Sequence, residues 1–231
     1  MQDPNRTFLK FFDINFRKAR RLSPAKFDVK KHRQKEMTLI EIIKDSLNDR
    51  KPKIINNQES RYVHASVLIP LFIENGQYWV LFTRRTTRVE HHKGQISFPG
   101  GAVDKEDGSL EETALREAHE EIGLLKKDVE LLGQIDDELA ILSNFIIHPF
   151  VGRISYPYSF QINPHEVDSI IVVPIYVFMD KKAGYKKDFI EVDGFAYHGP
   201  SYEYQGNIIW GATGRIMENF VRIIDNKIML A

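Results

Sequence analysis

The 231-residue chain is predicted to fold as an α/β domain, a mixed β-sheet sandwiched between helices, behind an N-terminal helical extension. Three observations predict it. Short apolar runs bounded by Gly, Pro and Asn are mixed with two strongly periodic helical segments, the pattern of a sheet with helices on both faces. Apolar residues make up 42% of the chain and charged residues 28%, enough for a packed core and against global disorder. Charge and texture also change along the chain. Residues 1–53 carry 15 Lys and Arg against 7 Asp and Glu, and the remainder carries 17 against 25. We therefore expect a basic helical extension and linker at 1–58 and the main domain at 59–231.

In chain order, Phe8, Leu9, Phe11, Phe12 and Phe16 lie among Arg and Lys at spacings that suit a short amphipathic helix. Leu39, Ile42, Ile43 and Leu47 form one stripe of a better helix over 38–47, and the polar stretch 51–59 reads as a linker. Strands are expected at 65–72 and 78–83, joined as a hairpin through Glu74-Asn75-Gly76. A short strand at 96–98 is halted by Pro99-Gly100-Gly101. Residues 109–122 read as a helix: Ser109 and Glu112 suit a capping box, Gly123 a left-handed stop, and Leu115, Ala118 and Ile122 a docking stripe. Strands follow at 129–134, 146–154 and 170–173, then Pro174 and a short helix. Further strands at 189–192, 196–197 and 202–204 precede a closing helix at 213–224.

No apolar run reaches the ~18 residues of a membrane span, and the polar opening Met1-Gln2-Asp3 does not resemble a secretory signal. The absence of cysteine excludes disulfides, thiolate catalysis and Cys-ligated zinc. The terminal Met229-Leu230-Ala231 is not a peroxisomal signal, and a cytoplasmic location is expected. The basic arm reads as a solvated face or a contact with the acidic body; no nucleic-acid or membrane partner is expected.

Chemistry concentrates in the helix at 109–122. Glu117, Glu120 and Glu121 stand at i, i+3 and i+4, so their carboxylates cluster on one side. Like charges at these spacings cost about 0.2–0.5 kcal/mol per pair, and the C-terminal turns of a helix disfavour anions by a further ~0.3–1 kcal/mol each. A divalent cation offsets that cost. With hard oxygen donors and no His or Cys at matching spacing, Mg²⁺ or Mn²⁺ suits the set. An exposed acidic helix alone would show the same three residues, so the context decides. The turn at Gly100 and Gly101 brings backbone close to a ligand, with the Gly101 carbonyl in reach of a metal, and Arg116 is placed to hold Glu112 or Glu120.

Residues 101–124 resemble the Nudix box, G-x5-E-x7-R-E-U-x-E-E-x-G-U with U aliphatic, through Gly101, Arg116, Glu117, Glu120, Glu121, Gly123 and Leu124. Asp107 replaces the first Glu of the pattern, and one extra residue separates it from Arg116. The resemblance implies the Nudix fold, with Asp107 organising the loop and helix. Upstream, residues 81–101 are similar to the signature of coenzyme A diphosphatases, L-L-T-x-R-[S/A]-x3-R-x3-G-x3-F-P-G-G, with Arg85 at a matching position. Further similarity lies at 147–152, at Asn163-Pro164-His165-Glu166, and at Trp210-Gly211-Ala212-Thr213. Thr86 departs mildly from that signature. Glu90 departs seriously, standing where Arg is expected, with Arg88, His91, His92 and Lys93 as candidate compensators.

The resemblance implies cleavage of a CoA-like nucleotide to 3′,5′-ADP and 4′-phosphopantetheine. It implies metal held by Glu117, Glu120, Glu121 and the Gly101 carbonyl, and substrate contacted by Arg85, Gly100 and Gly101. The general base stays open among Glu120, Glu121 and Glu166. Phe145, Phe150 and Trp210 are candidates to stack on the base or line the pantetheine channel, or else core residues; His119 reads as surface. Another nucleoside diphosphate derivative (ADP-ribose, a dinucleotide) and a noncatalytic ligand-sensing module are the alternatives, and a homodimer is left open.

Overall fold

The computed structural model describes residues 38–56, 61–86, 94–179, 185–186, 190–192 and 195–230. The expected helix around Phe8 to Phe16 lies outside them, as do Arg88, Glu90, His91, His92 and Lys93. Helix α1 (Leu39–Asn48) is followed by strands β1 (Val63–Glu74) and β2 (Gln77–Arg85), which pair antiparallel with Leu71 opposite Val80. The hairpin turn is the expected Asn75-Gly76, both with positive φ (51° and 74°), the geometry a two-residue turn needs to match strand twist.

Strands β3 (Ile96–Ser97) and β4 (Gly100–Ala102) lead to helix α2 (Leu110–Ile122). Strands β5 (Val129–Gln134), β6 (Glu138–Ala140), β7 (Phe145–Ile154) and β8 (Val167–Pro174) complete the sheet, in the order β3-β2-β1-β7-β5 with β4 on β1, β6 on β7 and β8 on β2. Only the β1–β7 pair is parallel among the described pairings, so the sheet is mixed. A short helix α3 (Tyr176–Met179), small strands β9 (Tyr185–Lys186), β10 (Ile190–Val192), β11 (Phe195–Tyr197), β12 (Ser201–Tyr204) and β13 (Asn207–Ile209), and helix α4 (Gly211–Leu230) follow.

The sheet has an apolar cluster on each face. Leu68, Phe72 and Phe150 pack against Ala114, Ala118 and Ile122 of α2; Ile69, Leu71 and Val151 share the other cluster with α1 and α4. The helix–sheet–helix sandwich expected from sequence is therefore the observed architecture. Residues 38–56, expected as part of the extension, are packed on this body. Leu39, Ile40, Ile43 and Leu47 are buried, each such side chain being worth about 1.5–3 kcal/mol. The segment expected as a linker from residue 51 is pinned through its backbone. Asp136 accepts from Lys53 N–H (2.8 Å), Asp137 accepts from Ile55 N–H (2.9 Å), and Asp137 N–H donates to the Lys53 carbonyl (3.0 Å). Polar composition hid this, because the partners are carboxylates more than 80 residues away. Among the described residues no helix is long and apolar enough to cross a membrane.

Candidate active site

Helix α2 starts and stops where its residues dictate. Ser109 accepts from Glu112 N–H (3.2 Å), and Gly123 takes the left-handed conformation (φ 69°) that ends the helix. The capping box is only half formed. Glu112 turns its carboxylate to Gly108 N–H (3.1 Å) and Lys126 (3.0 Å) instead of back to Ser109. Of the two partners expected for Arg116, Glu112 is thereby taken up elsewhere and Glu120 is the one it holds.

Arg116 is the hub of the loop and helix. Its Nε and Nη2 donate to the two oxygens of Asp107 (2.9 Å each), Nη2 also to the Ala102 carbonyl (3.1 Å), and Nη1 to Glu117 (2.7 Å) and Glu120 (3.1 Å). Asp107 further accepts from Thr113 Oγ1 (2.8 Å) and Asp104 N–H (2.9 Å). Arg116 holds the Asp107 carboxyl well below the usual carboxylate range, and Asp107 in turn raises Arg116. The Asp at the box's first acidic position thus ties the longer loop to the helix by a bidentate pair.

Glu117, Glu121, Glu166 and Arg85 come together, with Glu120 at their half-exposed edge. Glu121 is 1% exposed although it is a carboxylate. Burial is the main cause that pushes it up to about 8, against the opposing attraction of Arg85 (Nη1 3.6 Å away) and with repulsion from Glu117 and Glu166 adding to it. Burial likewise raises Glu117, over the opposing hydrogen bond from Arg116. Glu166 receives a hydrogen bond from Asn163 Nδ2 (3.1 Å). Its loop is held by Thr86, whose N–H donates to the Glu166 carbonyl (2.9 Å) and whose hydroxyl donates to the His165 carbonyl (3.0 Å). Sequence treated Thr86 only as a mild departure; its anchoring of Glu166 becomes visible once β2 and the 163–166 turn are adjacent.

Gly100 and Gly101 lie in β4 against β1, and both are confined. A Cβ on Gly100 would stand 2.4 Å from the Ser66 carbonyl oxygen, and one on Gly101 2.5 Å from the Glu117 carboxylate. Neither the close approach nor the strand pairing shows in a Pro-Gly-Gly turn by itself. Of the aromatic candidates, Phe150 is core, whereas Phe145 is half-buried and half-buried Trp210 meets Tyr197 edge-on at 5.3 Å. His119 is exposed, as expected.

The donor set fits a hard divalent cation. Glu121 Oε2 is buried with no hydrogen-bond partner, a costly state for a carboxylate oxygen unless a cation satisfies it. Among the described residues no three acidic or imidazole groups converge on one point. Arg116 draws Glu117 and Glu120 toward the loop while Arg85 faces Glu121. To hold a metal, these carboxylates would have to turn from their guanidinium partners.

One consequence is measurable on the metal-free protein. Because the Glu121 pKa is raised from 4.5 to about 8, its contribution to stability is complete below pH ~4.5 and is lost as pH rises through ~8. The metal-free melting temperature is expected to fall across that window and to recover with Mg²⁺. Glu121→Gln should flatten the profile, as read by thermal denaturation from pH 5 to 8.5.

The α/β domain thus gathers carboxylates, Glu121 among them buried, beside the guanidinium groups of Arg85 and Arg116. Comparison supplies the family: residues 63–191 match the NUDIX domain, and the chain belongs to that family. The Nudix hydrolase NudL of Yersinia enterocolitica, itself called uncharacterized, is 35% identical over 162 residues, 70% of this chain and 82% of that protein. Nudix hydrolase 3 of Caenorhabditis elegans is 29% identical over 190 residues, 75% of this chain and 78% of that one. Among solved structures, a MutT/nudix family protein from Enterococcus faecalis aligns with a TM-score of 0.48 at 14% identity, over 87% of this chain and 76% of that chain.

Proposed function

We propose that the chain cleaves the pyrophosphate of coenzyme A or a derivative, giving 3′,5′-ADP and 4′-phosphopantetheine. The observation that carries hydrolysis is the buried Glu121 carboxylate, with an unpartnered oxygen, facing Arg85. The coenzyme A assignment is supported by the signature at 81–101, which runs from β2 through Arg85 to the glycines of β4.

Glu117, Glu120, Glu121 and the Gly101 carbonyl would hold Mg²⁺ or Mn²⁺, which supplies positive charge to the pyrophosphate and acidifies water. Arg85 is freed from Glu121 to bind a phosphate oxygen and meet the charge that develops there. Arg116, through Asp107, keeps Glu117 and Glu120 in place. Glu166, positioned by Asn163 and Thr86, is the side chain best placed to take a proton from the attacking water.

Glu90 favours a second reading, a different nucleoside diphosphate derivative, since a negative charge near a phosphate-rich ligand weakens binding. Purified protein with Mg²⁺ is incubated with CoA, acyl-CoA, ADP-ribose and NADH, and products are resolved by mass. Release of 3′,5′-ADP from CoA is expected. Turnover of ADP-ribose without CoA would sink the coenzyme A reading. No turnover of any of the four, with Glu121→Gln without effect, would favour a ligand sensor.

A further inference from the structure

On the face of the sheet that packs against α2, one strand from Gly101, lies a polar row, buried at Asp137 and His148 and half-exposed at His64, that the chemistry above does not use. Asp137 accepts from His148 Nδ1 (2.8 Å), and His148 Nε2 lies 2.8 Å from His64 Nδ1, the two imidazole planes being parallel within 5°. The Asp137 side chain is fully buried and His148 is 1% exposed. Further along the same strands and face, two residues beyond His148 and four beyond His64, the row gives way to Phe150 and Leu68 in the apolar cluster. Packing alone therefore does not ask for polar groups here, and burying them costs free energy unless each is satisfied.

The hydrogen bonds set both tautomers. A carboxylate only accepts, so His148 Nδ1 carries a proton, and in the neutral ring Nε2 is then the acceptor. His64 must then donate from Nδ1. Asp137 is itself fixed on both oxygens, by Ile55 N–H (2.9 Å) on Oδ2 and Gln134 Nε2 (3.2 Å) on Oδ1. The orientation of His64 is thus dictated from the far side of β7.

Strand register ties the row to the carboxylate site. His148 pairs with Ser66, and Ser66 pairs with Gly101; neighbouring strands stand about 4.8 Å apart. Gly101 abuts the Glu117 carboxylate. Between the imidazoles and Gly101, the Ser66 hydroxyl is fully buried and has no hydrogen-bond partner. That leaves a polar gap in the row on the side of Glu117.

We propose that Asp137, His148 and His64 are a positioning array for the hydrolytic site, acting through Ser66 on the wall that Gly101 and Glu117 form. The proposal rests on the hydrolase reading above. The array sets the tautomer and direction of His64, and the strand pairing of Ser66 with His148 and with Gly101 carries that order to the backbone against the Glu117 carboxylate.

Asp137→Asn tests it, because an amide has one acceptor oxygen. With that oxygen retained by Ile55 N–H, the amide N–H faces His148 and inverts both tautomers. Half-exposed His64 supplies His64→Gln, a variant at little risk of misfolding. Imidazole ¹⁵N shifts of the wild type should show both Nδ1 atoms protonated, and Asp137→Asn should reverse them. Each single variant should lower kcat about tenfold with KM within about twofold, and the double variant should be no slower than the slower single. A kcat within about twofold of wild type for His64→Gln, or effects that multiply, would overturn the proposal. If the wild type cleaves no pyrophosphate substrate, the hydrolase reading fails separately. The array is then judged by the ¹⁵N shifts and by Mn²⁺ affinity, which should fall in both single variants without further loss in the double; unchanged affinity overturns it.

Discussion

Glu121→Gln is expected to lower turnover by about 10³-fold or more at saturating Mg²⁺ while leaving the fold intact. The glutamine keeps the shape and can still present an oxygen to Arg85, but it removes the charge that, on the proposed reading, the buried position supplies to a cation. Its second effect has the opposite sign. In the metal-free protein at pH 8, wild type bears the cost of ionising a carboxylate that burial has pushed up to about 8, and the variant does not. The variant should therefore melt higher than metal-free wild type and gain nothing from Mg²⁺. A misfolded variant would melt lower, so activity and melting temperature together separate lost chemistry from lost structure.

The second large effect divides two adjacent glycines. At Gly100 an added methyl group meets backbone, 2.4 Å from the Ser66 carbonyl oxygen and 2.7 Å from Val67 Cα. Backbone in a strand cannot yield without breaking the β1–β4 pairing. Gly100→Ala is expected to cost about 3 kcal/mol or more, seen as a shifted denaturation midpoint. At Gly101 the methyl group meets only the end of the Glu117 side chain, 2.5 Å away. That side chain can turn aside, so Gly101→Ala should cost under about 1 kcal/mol in stability yet reduce kcat by about 10²-fold. Equal effects of the two substitutions on stability would contradict the placement of Glu117 against Gly101.

Much of this architecture is legible locally. Asn75-Gly76 specifies its hairpin because both residues tolerate positive φ, and Gly123 ends α2 for the same reason. The carboxylate spacing and the surrounding box pick out α2 and the glycines before it. What sequence misses is made by partners far along the chain. Strand β4 is three residues with two glycines, weak strand formers, and exists because β1 offers it an edge. Glu112 has two competitors for its carboxylate, Gly108 N–H and Lys126, and spacing from Ser109 does not reveal them. The burial of Glu121, the contact with Arg85 and the anchoring of Glu166 by Thr86 all require β2, α2 and the 163–166 turn to meet. His64 and His148 stand 84 residues apart, and neither carries a local signal of its partner.

On the proposed reading a divalent cation binds at the buried Glu121. Calorimetric titration with Mn²⁺ at pH 7 in two buffers of different ionisation heat tests it most directly. With Glu121 raised to about 8, binding to wild type should release close to one proton. Glu121→Gln should abolish both the release and most of the affinity. Equal Mn²⁺ affinity in wild type and variant, with no proton released by either, would contradict the account.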